Sequence, residues 1–451
     1  MKPTLIAGDC RHVLKAFPSN HFDSIVTDPP YGLSKHPDMA EVLKHWLAGD
    51  DYTATGGGFM GKTWDSFVPG PATWSEVLRV MKPGAYAAVF AGSRTQDLMA
   101  TALRLAGFEV LDTLFWMYGS GFPKSMDVAK AVDARDGMQA KRVSQYEFTK
   151  WMRANCSLSS TKIDRVLGTN GMGRHFTDVP PGGKQPEVAT REHFEKLRPY
   201  FTAPVPVSIE MLVEERTAES ENLKRREVVG HHTDKAQAAV WRENNGQGVA
   251  LDPKPITKAY SEEAQKWEGY GTALKPAYEP IILCRKPLDG TYANNLMEHG
   301  CGALNIDGSR NGERWPANVL HDGCLPDPMD RYFYCAKATK ADRDAGLAHW
   351  PDRTAGQATD RKEGTAGLDN PRSGAGRTGG SKNPHVTVKP TELMRWLCKL
   401  ITPPGGGIGD PFCGSGSTGR GAKLGGFEFT GIDLDPVNIK VSADRIDNIE
   451  S

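Results

Sequence analysis

The sequence predicts an α/β fold, in which a mainly parallel β-sheet is covered by helices and interrupted by a large, mainly helical insertion. Short apolar runs that end at Asp or Gly and are followed by helical patterns are typical of the buried strands of a parallel sheet. This strand signal fades between about residues 134 and 278, where charged, helix-like segments dominate. It returns later in the chain, so both ends are expected to contribute strands to one sheet.

Seven segments are predicted as strands: residues 4–7, 23–27, 85–91, 109–116, 279–284, 407–410 and 427–432. The two strands that flank the insertion, 109–116 and 279–284, are expected to form an antiparallel edge of the sheet. Helices are predicted over residues 74–81 and 95–105, because each pattern stops at a Pro-Gly or Gly signal.

Two further segments lie outside the sheet pattern. Within the insertion, residues 146–155 and 159–167 are joined by a short polar turn and are compatible with a helix-turn-helix, or equally with a plain helical hairpin. Residues 352–384 are rich in Gly, Ser and Thr with scattered Arg and Lys. This composition predicts a mobile, mildly basic loop, and the alternative is a solvated linker without function.

The overall composition excludes several classes of protein. The 451 residues carry 55 Lys and Arg against 55 Asp and Glu, so a nucleic-acid partner must be held by a local basic patch. The 8 cysteines form no C-x-x-C pair, which argues for a reducing compartment and against a zinc site or a disulfide scaffold. No stretch approaches the roughly 20 apolar residues of a membrane span. We therefore expect a cytoplasmic protein that needs no metal.

The tetrapeptide Asp28-Pro29-Pro30-Tyr31 follows a predicted strand, at the carboxyl edge where open α/β sheets bind ligands. The two prolines stiffen the backbone and lack N–H donors, so their carbonyl groups can face outwards as acceptors. Asp28 adds a carboxylate acceptor and Tyr31 adds an aromatic face. This set fits a planar group that carries an exocyclic amine. The alternative is a strand-to-loop turn with a surface tyrosine.

A second candidate site is a glycine-rich segment between a predicted strand and a predicted helix over residues 420–424. Gly414, Gly416 and Gly419 form the pattern G-x-G-x-x-G, which lets backbone amides and a helix N-terminus approach a ligand closely. The next strand ends near Asp433, about 20 residues after Gly414, a spacing typical of a carboxylate that binds ribose hydroxyls. The pattern predicts a cofactor that contains a nucleoside.

Together these two motifs resemble those of a known family. The tetrapeptide Asp28-Pro29-Pro30-Tyr31 is similar to the catalytic motif of amino-methylating DNA methyltransferases, and residues 410–416 resemble their S-adenosylmethionine loop. The catalytic motif precedes the cofactor loop, which is the circularly permuted order of the β class, a class that includes many phage and prophage adenine methyltransferases. The resemblance implies a circularly permuted, Rossmann-like methyltransferase sheet with S-adenosyl-L-methionine as its cofactor.

Three smaller matches extend the resemblance. Asp9 and Cys10 lie in a turn similar to the one whose acid binds the adenine amine of the cofactor, although Asp9 could instead cap a helix. Lys389-Pro390 resembles the motif that closes over the methionine end of the cofactor, or marks a plain helix start. Residues 116–124 resemble the motif that completes the target-base pocket. The implied cofactor site therefore comprises Asp9, Cys10, Lys389, Pro390, Asp410, Phe412, Cys413, Gly414, Ser415, Gly416, Thr418 and Asp433.

The target-base pocket is expected to contain Phe122 and Lys124, with core packing as the alternative for Phe122. In the resulting division, residues 1–134 form the catalytic half and 135–275 the target-recognition insertion. Residues 276–345 return to the sheet, 346–384 form the Gly-rich loop, and 385–451 form the cofactor half. The helical pair and the basic Lys224-Arg225-Arg226 are expected to contact double-stranded DNA.

The sequence thus predicts a DNA methyltransferase that flips its target base and methylates an exocyclic amine. In this family an Asp at the first motif position usually accompanies adenine N6, so Asp28 favours adenine over cytosine N4. The alternatives are an RNA or protein-glutamine methyltransferase and a catalytically idle cofactor-binding DNA regulator. A nicotinamide dehydrogenase would share the glycine loop but gives no reason for Asp28-Pro29-Pro30-Tyr31. The oligomeric state, monomer or homodimer, stays open.

Overall fold

The computed structural model describes residues 2–32, 37–54, 66–119, 125–135, 138–169, 171–179, 186–224, 228–231, 255–257, 262–326, 328–336, 339–353, 381–385 and 387–449. These residues form two compact units. The sheet unit comprises the described residues of 2–119 and 276–449, and the helical unit comprises those of 125–275. No helix of the described residues is long and apolar enough to cross a membrane.

The strands of the described residues are β1 (Thr4–Ala7), β2 (Phe22–Thr27), β3 (Met81–Phe90), β4 (Glu109–Met117), β5 (Val228–His231), β6 (Pro255–Thr257), β7 (Tyr278–Arg285), β8 (Val319–His321), β9 (Tyr334–Cys335), β10 (Gly407–Asp410) and β11 (Glu428–Asp433). The helices are α1 (Cys10–Val13), α2 (Met39–Leu47), α3 (Pro71–Val80), α4 (Gln96–Leu105), α5 (Val128–Arg135), α6 (Met138–Asn155), α7 (Ser160–Leu167), α8 (Met172–Phe176), α9 (Arg191–Leu197), α10 (Val207–Lys224), α11 (Glu262–Gln265), α12 (Tyr292–His299), α13 (Lys340–Asp344), α14 (Thr391–Ile401), α15 (Ser417–Gly425) and α16 (Pro436–Asp447).

The sheet unit is built on a nine-stranded sheet with the order β1-β11-β10-β2-β3-β7-β4-β8-β9. Every neighbouring pair is parallel except the two that involve β7, which runs antiparallel to both β3 and β4. The last two strands along the chain, β10 and β11, lie between β1 and β2, the first two. The glycine-rich segment after β10 and the Asp28-Pro29-Pro30-Tyr31 segment after β2 are therefore brought together by strand order.

Apolar residues cover both faces of this sheet, as the continuous hydrophobic strands predict. Alternate residues of β3 point to opposite faces: Ala87 and Val89 pack in one core cluster, and Ala88 and Phe90 in the other. The first cluster includes buried residues of α3 and α4, and the second includes those of α14. The predicted α/β fold, a Rossmann-like sheet between two helical layers, is confirmed.

One prediction about this sheet is wrong. The strands β4 and β7 pair antiparallel as expected, but they do not form the edge, because β8 and β9 extend the sheet beyond β4. These two strands have only three and two residues. Such short strands carry no apolar run or alternation long enough to be recognised in a sequence.

The helical unit has its own core, in which large apolar side chains of α6 to α10 are buried together. Phe148 and Met152 of α6 pack with Ile163 of α7, Phe176 of α8 and Phe194 of α9, all of them fully buried. The two predicted helices at residues 146–155 and 159–167 correspond to α6 and α7, and α6 begins earlier than predicted. Helix α7 ends at Gly168 in the left-handed conformation, with φ of 68°.

Candidate active site

Four acidic residues lie at one edge of the sheet. Asp433 ends β11, Asp410 ends β10, and Asp28 follows β2 directly. Asp9 follows β1 after one glycine. Because β1, β11, β10 and β2 are adjacent and parallel, their carboxyl ends meet at the same edge. This edge is where open α/β sheets bind ligands, as the sequence predicts.

The glycine loop between β10 and α15 makes two left-handed turns. Gly414 has φ of +52° and Gly416 has φ of +76°, a conformation that residues with a side chain adopt at a cost. A Cβ on Gly414 would lie 3.1 Å from His385 Nε2, and one on Gly416 would lie 3.0 Å from the Cα of Ser442. The loop is therefore held in a narrow cradle in which only glycine fits without displacement. Such a cradle fits a ligand that contacts backbone amides.

The carboxylate of Asp433, at the end of β11, holds this loop in place by a hydrogen bond. Its Oδ2 accepts the backbone N–H of Gly414 at 2.8 Å, while Oδ1 accepts the N–H of Asp435 at 2.9 Å and the side-chain amide of Asn438 at 3.0 Å. Burial raises the pKa of Asp433, and these three hydrogen bonds oppose that shift. An ionised carboxylate can accept about four hydrogen bonds, so Asp433 can accept one more hydrogen bond, for example from a hydroxyl group.

Asp410 is almost fully buried, with 2% of its surface exposed. Its Oδ1 accepts the hydroxyl of Thr27 at 2.6 Å and the N–H of Phe412 at 3.1 Å. Burial raises the pKa of Asp410 to about 7, and the hydrogen bonds from Thr27 and Thr418 only partly offset the effect. Asp410 thus ties the start of the glycine loop to the end of β2.

The other predicted loop residues are packed behind the glycine cradle. Ser415 accepts hydrogen bonds from Arg445 Nη1 through its carbonyl oxygen (2.7 Å) and its hydroxyl (3.1 Å). Cys413 is buried beside the hydroxyl of Ser442, at 3.5 Å. The ring of Phe412 lies 6.2 Å from that of Trp74. These three residues shape the loop from the protein side.

In the turn after β1, Asp9 caps a helix, which is the alternative role that the sequence allows for it. Asp9 Oδ1 accepts the N–H of Arg11 at 2.9 Å and caps α1, and Oδ2 forms an ion pair with the Arg11 guanidinium at 2.6 Å. The hydrogen bond from the Arg11 side chain is the main cause that lowers the pKa of Asp9. Burial raises the pKa of the neighbouring Cys10 thiol to about 12, so this thiol stays protonated.

Hydrogen bonds hold the Asp28-Pro29-Pro30-Tyr31 segment in place at Asp28 and Tyr31. Asp28 Oδ1 accepts the hydroxyl of Tyr31 at 2.8 Å, and Asp28 Oδ2 accepts Lys389 Nζ at 2.6 Å. The carbonyl oxygen of Tyr31 accepts a hydrogen bond from the hydroxyl of Thr95 at 2.6 Å, which anchors the segment to the N-cap residue of α4. Pro29 is buried and Pro30 is partly buried.

Lys389 lies beside the catalytic carboxylate. Besides Asp28 it pairs with Glu279 Oε2 at 3.2 Å, and its ammonium lies 4.9 Å and 5.3 Å from the ring centroids of Phe90 and Tyr31. The following residue, Pro390, is the N-cap of α14, so the Lys-Pro pair is also a helix start. Lys389, predicted to close over the cofactor, is thus placed at Asp28 itself, with 8% of its side chain exposed.

Glu279 was not predicted from the sequence. Its Oε2 accepts the hydroxyl of Tyr31 at 3.0 Å in addition to the ion pair with Lys389. It is the second residue of β7, and the start of a strand is ordinarily far from a parallel sheet's binding edge. Because β7 is antiparallel, its start lies at the carboxyl edge of the other strands. The predicted antiparallel pairing was the signal that could have identified Glu279.

His385 is the second residue that sequence reasoning missed. It faces Gly414, and its Nδ1 is hydrogen-bonded to the carbonyl oxygen of Thr387. Burial lowers the pKa of His385, while the negative charges of Asp433 and Asp28 act in the opposite direction. His385 therefore interacts electrostatically with both Asp433 and Asp28, and its ring lies next to Gly414 of the glycine loop.

Most of the remaining predicted residues lie in segments that the structure does not describe. Phe122 and Lys124 of the predicted target-base pocket lie outside the described residues, as do Arg225 and Arg226. Thr418 is buried at the start of α15, where its side chain bonds Asp410. Among the residues that the structure describes, no group of three His, Cys, Asp or Glu side chains could hold a metal ion.

Residues 228–444 match the family model N6_N4_Mtase, described as DNA methylase. The matched segment contains Glu279, Lys389, the glycine loop and Asp433. The match spans 217 of the 451 residues, just under half of the chain, and the family that it identifies consists of DNA methylases.

Solved structures of three DNA methyltransferases or related proteins are also similar to the chain. The PvuII DNA methyltransferase, cytosine-N4-specific, shares 10% identity over 100% of this chain and 89% of its own, with a TM-score of 0.39. The complex of M1.HpyAVI with SAM shares 11% over 98% of each chain, with a TM-score of 0.37. TTHA0409 of Thermus thermophilus, provisionally named a DNA modification methylase and solved with S-adenosyl-L-methionine, shares 14% over 98% of this chain and 94% of its own, with a TM-score of 0.34. With TM-scores below 0.5, nothing about this chain is inferred from these three structures.

Proposed function

We propose that this protein transfers a methyl group from S-adenosyl-L-methionine to the N6 amine of an adenine that is flipped out of double-stranded DNA. The observation that carries the proposal is the meeting of Asp28 and Tyr31 with the glycine loop at one sheet edge, in a chain that matches the DNA methylase family. The order of the two motifs supports membership of the circularly permuted β class, of the phage type.

The described residues fit the cofactor. The cradle at Gly414 and Gly416 offers backbone amides beside the N-terminus of α15, and Asp433 is a buried carboxylate with acceptor capacity for a ribose hydroxyl. When bound, S-adenosyl-L-methionine supplies a methyl group on a positively charged sulfur. His385 is the side chain that lies over this cradle and would cover part of the bound nucleoside.

The catalytic motif fits an amine. Asp28 and the carbonyl oxygen of Pro29 would accept hydrogen bonds from the two N–H groups, which directs the nitrogen lone pair towards the methyl group. Asp28, Tyr31, Glu279 and Lys389 carry two carboxylates and one ammonium. The resulting net negative charge is complementary to a cationic methyl donor and to the positive charge that develops on the amine.

Adenine is the proposed base because Asp stands at the first motif position, position 28. The second candidate is the N4 amine of cytosine, which the family name N6_N4 includes and which offers the same pair of N–H donors. Tyr31, together with Phe122, would stack on the flipped base in either case, and Lys124 would complete the pocket.

We assign DNA recognition to the helical unit. A cleft of about 370 Å³ in this unit is lined by Arg153 of α6, Ser159 and Ser160 at the start of α7, and Arg174 of α8. Asp178 also lines it. Among the described residues, neither arginine takes part in an ion pair. Two unpaired guanidinium groups beside a helix N-terminus fit a backbone phosphate.

This assignment is tested by the salt dependence of DNA binding. In Arg153→Gln and Arg174→Gln the slope of log K against log salt should fall by about 1 each, since each variant loses one phosphate contact. Lys196→Gln is the matched control, because Lys196 is already paired with Glu192 at 2.8 Å in the same unit. Unchanged slopes in both arginine variants would remove the cleft from the DNA interface.

The function itself is tested by product analysis. The purified protein is incubated with S-adenosyl-L-methionine and unmethylated genomic DNA, which is then digested to nucleosides and analysed by mass spectrometry, with Asp28→Ala as the control. N6-methyladenine is the expected product, and N4-methylcytosine would replace the proposed base. If neither appears while the cofactor binds, methylation of RNA or of protein glutamine is assayed next, and inactivity on all three would indicate a regulator.

A further inference from the structure

A single phenol hydroxyl lies between two carboxylates in the catalytic site. The hydroxyl of Tyr31 is 2.8 Å from Asp28 Oδ1 and 3.0 Å from Glu279 Oε2. A phenol has one proton, so it donates to one carboxylate at a time while its oxygen can accept a proton from the other. The three groups therefore form a continuous hydrogen-bonded chain from Asp28 to Glu279 whenever one of the two carboxylates is protonated.

Lys389 holds the two ends of this chain together. Its ammonium pairs with Asp28 at 2.6 Å and with Glu279 at 3.2 Å, and the rings of Tyr31 and Phe90 enclose it. Two carboxylates this close would repel each other, and a shared cation removes most of that repulsion. The lysine is nearly buried, so it cannot exchange this position for water without uncovering both carboxylates.

The reaction proposed above leaves a proton to be removed. When the nitrogen–methyl bond forms, the amine nitrogen gains a positive charge and one of its N–H bonds must break. The nearest acceptor for this proton is Asp28, but a flipped base bound against Asp28 separates that carboxylate from water. Glu279 lies at the other end of the hydrogen-bonded chain and keeps 24% of its side chain exposed.

We propose that Tyr31 and Glu279 form a proton relay that returns Asp28 to its ionised state in each turnover. The proton passes from the amine nitrogen to Asp28, and from Asp28 to the oxygen of Tyr31 as the phenol proton moves to Glu279. Tyr31 is a phenol before and after the step, Asp28 is again a carboxylate, and Glu279 releases the proton to water. Glu279 acts through Tyr31 and is a positioning residue.

The surroundings of Tyr31 keep it in the form that the relay requires. Burial and the charges of Asp28 and Glu279 raise the pKa of Tyr31 well above its usual value, so it stays protonated between transfers. Burial and the Glu279 charge also raise the pKa of Tyr118 to about 12, which makes Tyr118 a neutral neighbour. Among the described residues, the other titratable groups that interact with this hydrogen-bonded chain are Lys389 and, through Asp28, His385 and Asp410.

The relay rests on the proposed function and is tested in the full-length protein with Tyr31→Phe, Glu279→Gln and the double variant. Each single variant should lower kcat about 10²-fold, the usual contribution of a positioned acid or base, with KM for S-adenosyl-L-methionine unchanged. The loss should diminish as pH rises, because hydroxide then removes the proton from Asp28 faster once the methylated base has left. Glu279→Asp should recover part of the rate.

The double variant separates a relay from two independent structural effects. If both residues serve one proton path, the double variant is no slower than the slower single variant. Multiplied losses, or losses that are equal at all pH values, would overturn the relay. Glu428→Gln, at the opposite edge of the sheet where β11 starts, is the control for a change of Glu to Gln. A wild-type protein that methylates no DNA would instead disprove the proposed function.

Discussion

Replacing Asp410 with asparagine is expected to stabilise the sheet unit by an amount that grows with pH. The side chain of Asp410 is buried, and its pKa is raised from 3.8 to about 7. The folded protein therefore binds more protons than the unfolded chain between pH 3.8 and about 7, so the contribution of Asp410 to stability is full at low pH and is lost as pH rises through this window. Asparagine has no such titration.

The size of the effect follows from the two pKa values. At about 1.4 kcal/mol per pKa unit, the ionised form costs roughly 4 kcal/mol above the folded-state pKa and about 2 kcal/mol at pH 5. The difference in unfolding free energy between Asp410→Asn and the wild type should thus grow by about 2–3 kcal/mol from pH 5 to pH 9. The amide oxygen can still accept the hydrogen bonds from Thr27 and Phe412.

The assay is urea unfolding of both proteins at pH 5, 7 and 9, followed by circular dichroism. Taking the difference between the two proteins at each pH cancels all other titrating groups. Asp307→Asn is the control, since 89% of the Asp307 side chain is exposed and its difference should stay flat. A difference for Asp410→Asn that does not change with pH would refute the raised pKa and the reasoning built on its burial.

Three further predictions concern the two halves of the site. Asp28→Ala should lower kcat about 10²–10³-fold while the Kd for S-adenosyl-L-methionine, measured by calorimetry, changes little; an equal loss of binding would place Asp28 in the cofactor half. Asp433→Ala should raise that Kd about tenfold to a hundredfold, since a buried acceptor is lost, and an unchanged Kd would remove Asp433 from the cofactor site. Gly416→Ala should destabilise the protein more than Gly426→Ala in urea unfolding. Both glycines have a positive φ, which costs alanine about 1 kcal/mol of conformational free energy. Only at Gly416 would the new Cβ also contact backbone atoms, those of Ser442. Equal losses would contradict a closely packed cradle.

The strands and acids of the site could be predicted because each depends on local sequence. All seven predicted strands occur, since buried parallel strands are continuous apolar runs that need no tertiary context to be recognised. Asp28, Asp410 and Asp433 follow or end such runs, and strand order then brings them together. The Gly-rich pattern is equally local, because positive φ selects glycine.

The partners of these residues could not be predicted in the same way. Glu279 reaches Tyr31 only because β7 reverses direction, and Lys389 reaches Asp28 across 361 residues of chain. His385 lies outside any motif and faces Gly414 through the folding of its segment. Such contacts depend on side chains that are distant in sequence, and residue spacing carries no information about them.

The insertion of β10 and β11 between β1 and β2 has a consequence for synthesis of the protein. Among the strands of the described residues, β1 pairs only with β11, and β2 bonds to β10 across a sequence separation of 384 residues, as in the contact of Asp23 with Gly407. A growing chain on the ribosome therefore carries its first strand without a partner until almost all of the described sequence has emerged. A chain interrupted before β10 retains Asp28 but lacks the glycine loop and Asp433. Premature termination should yield chains without methyl-transfer activity, so unfinished products cannot modify DNA.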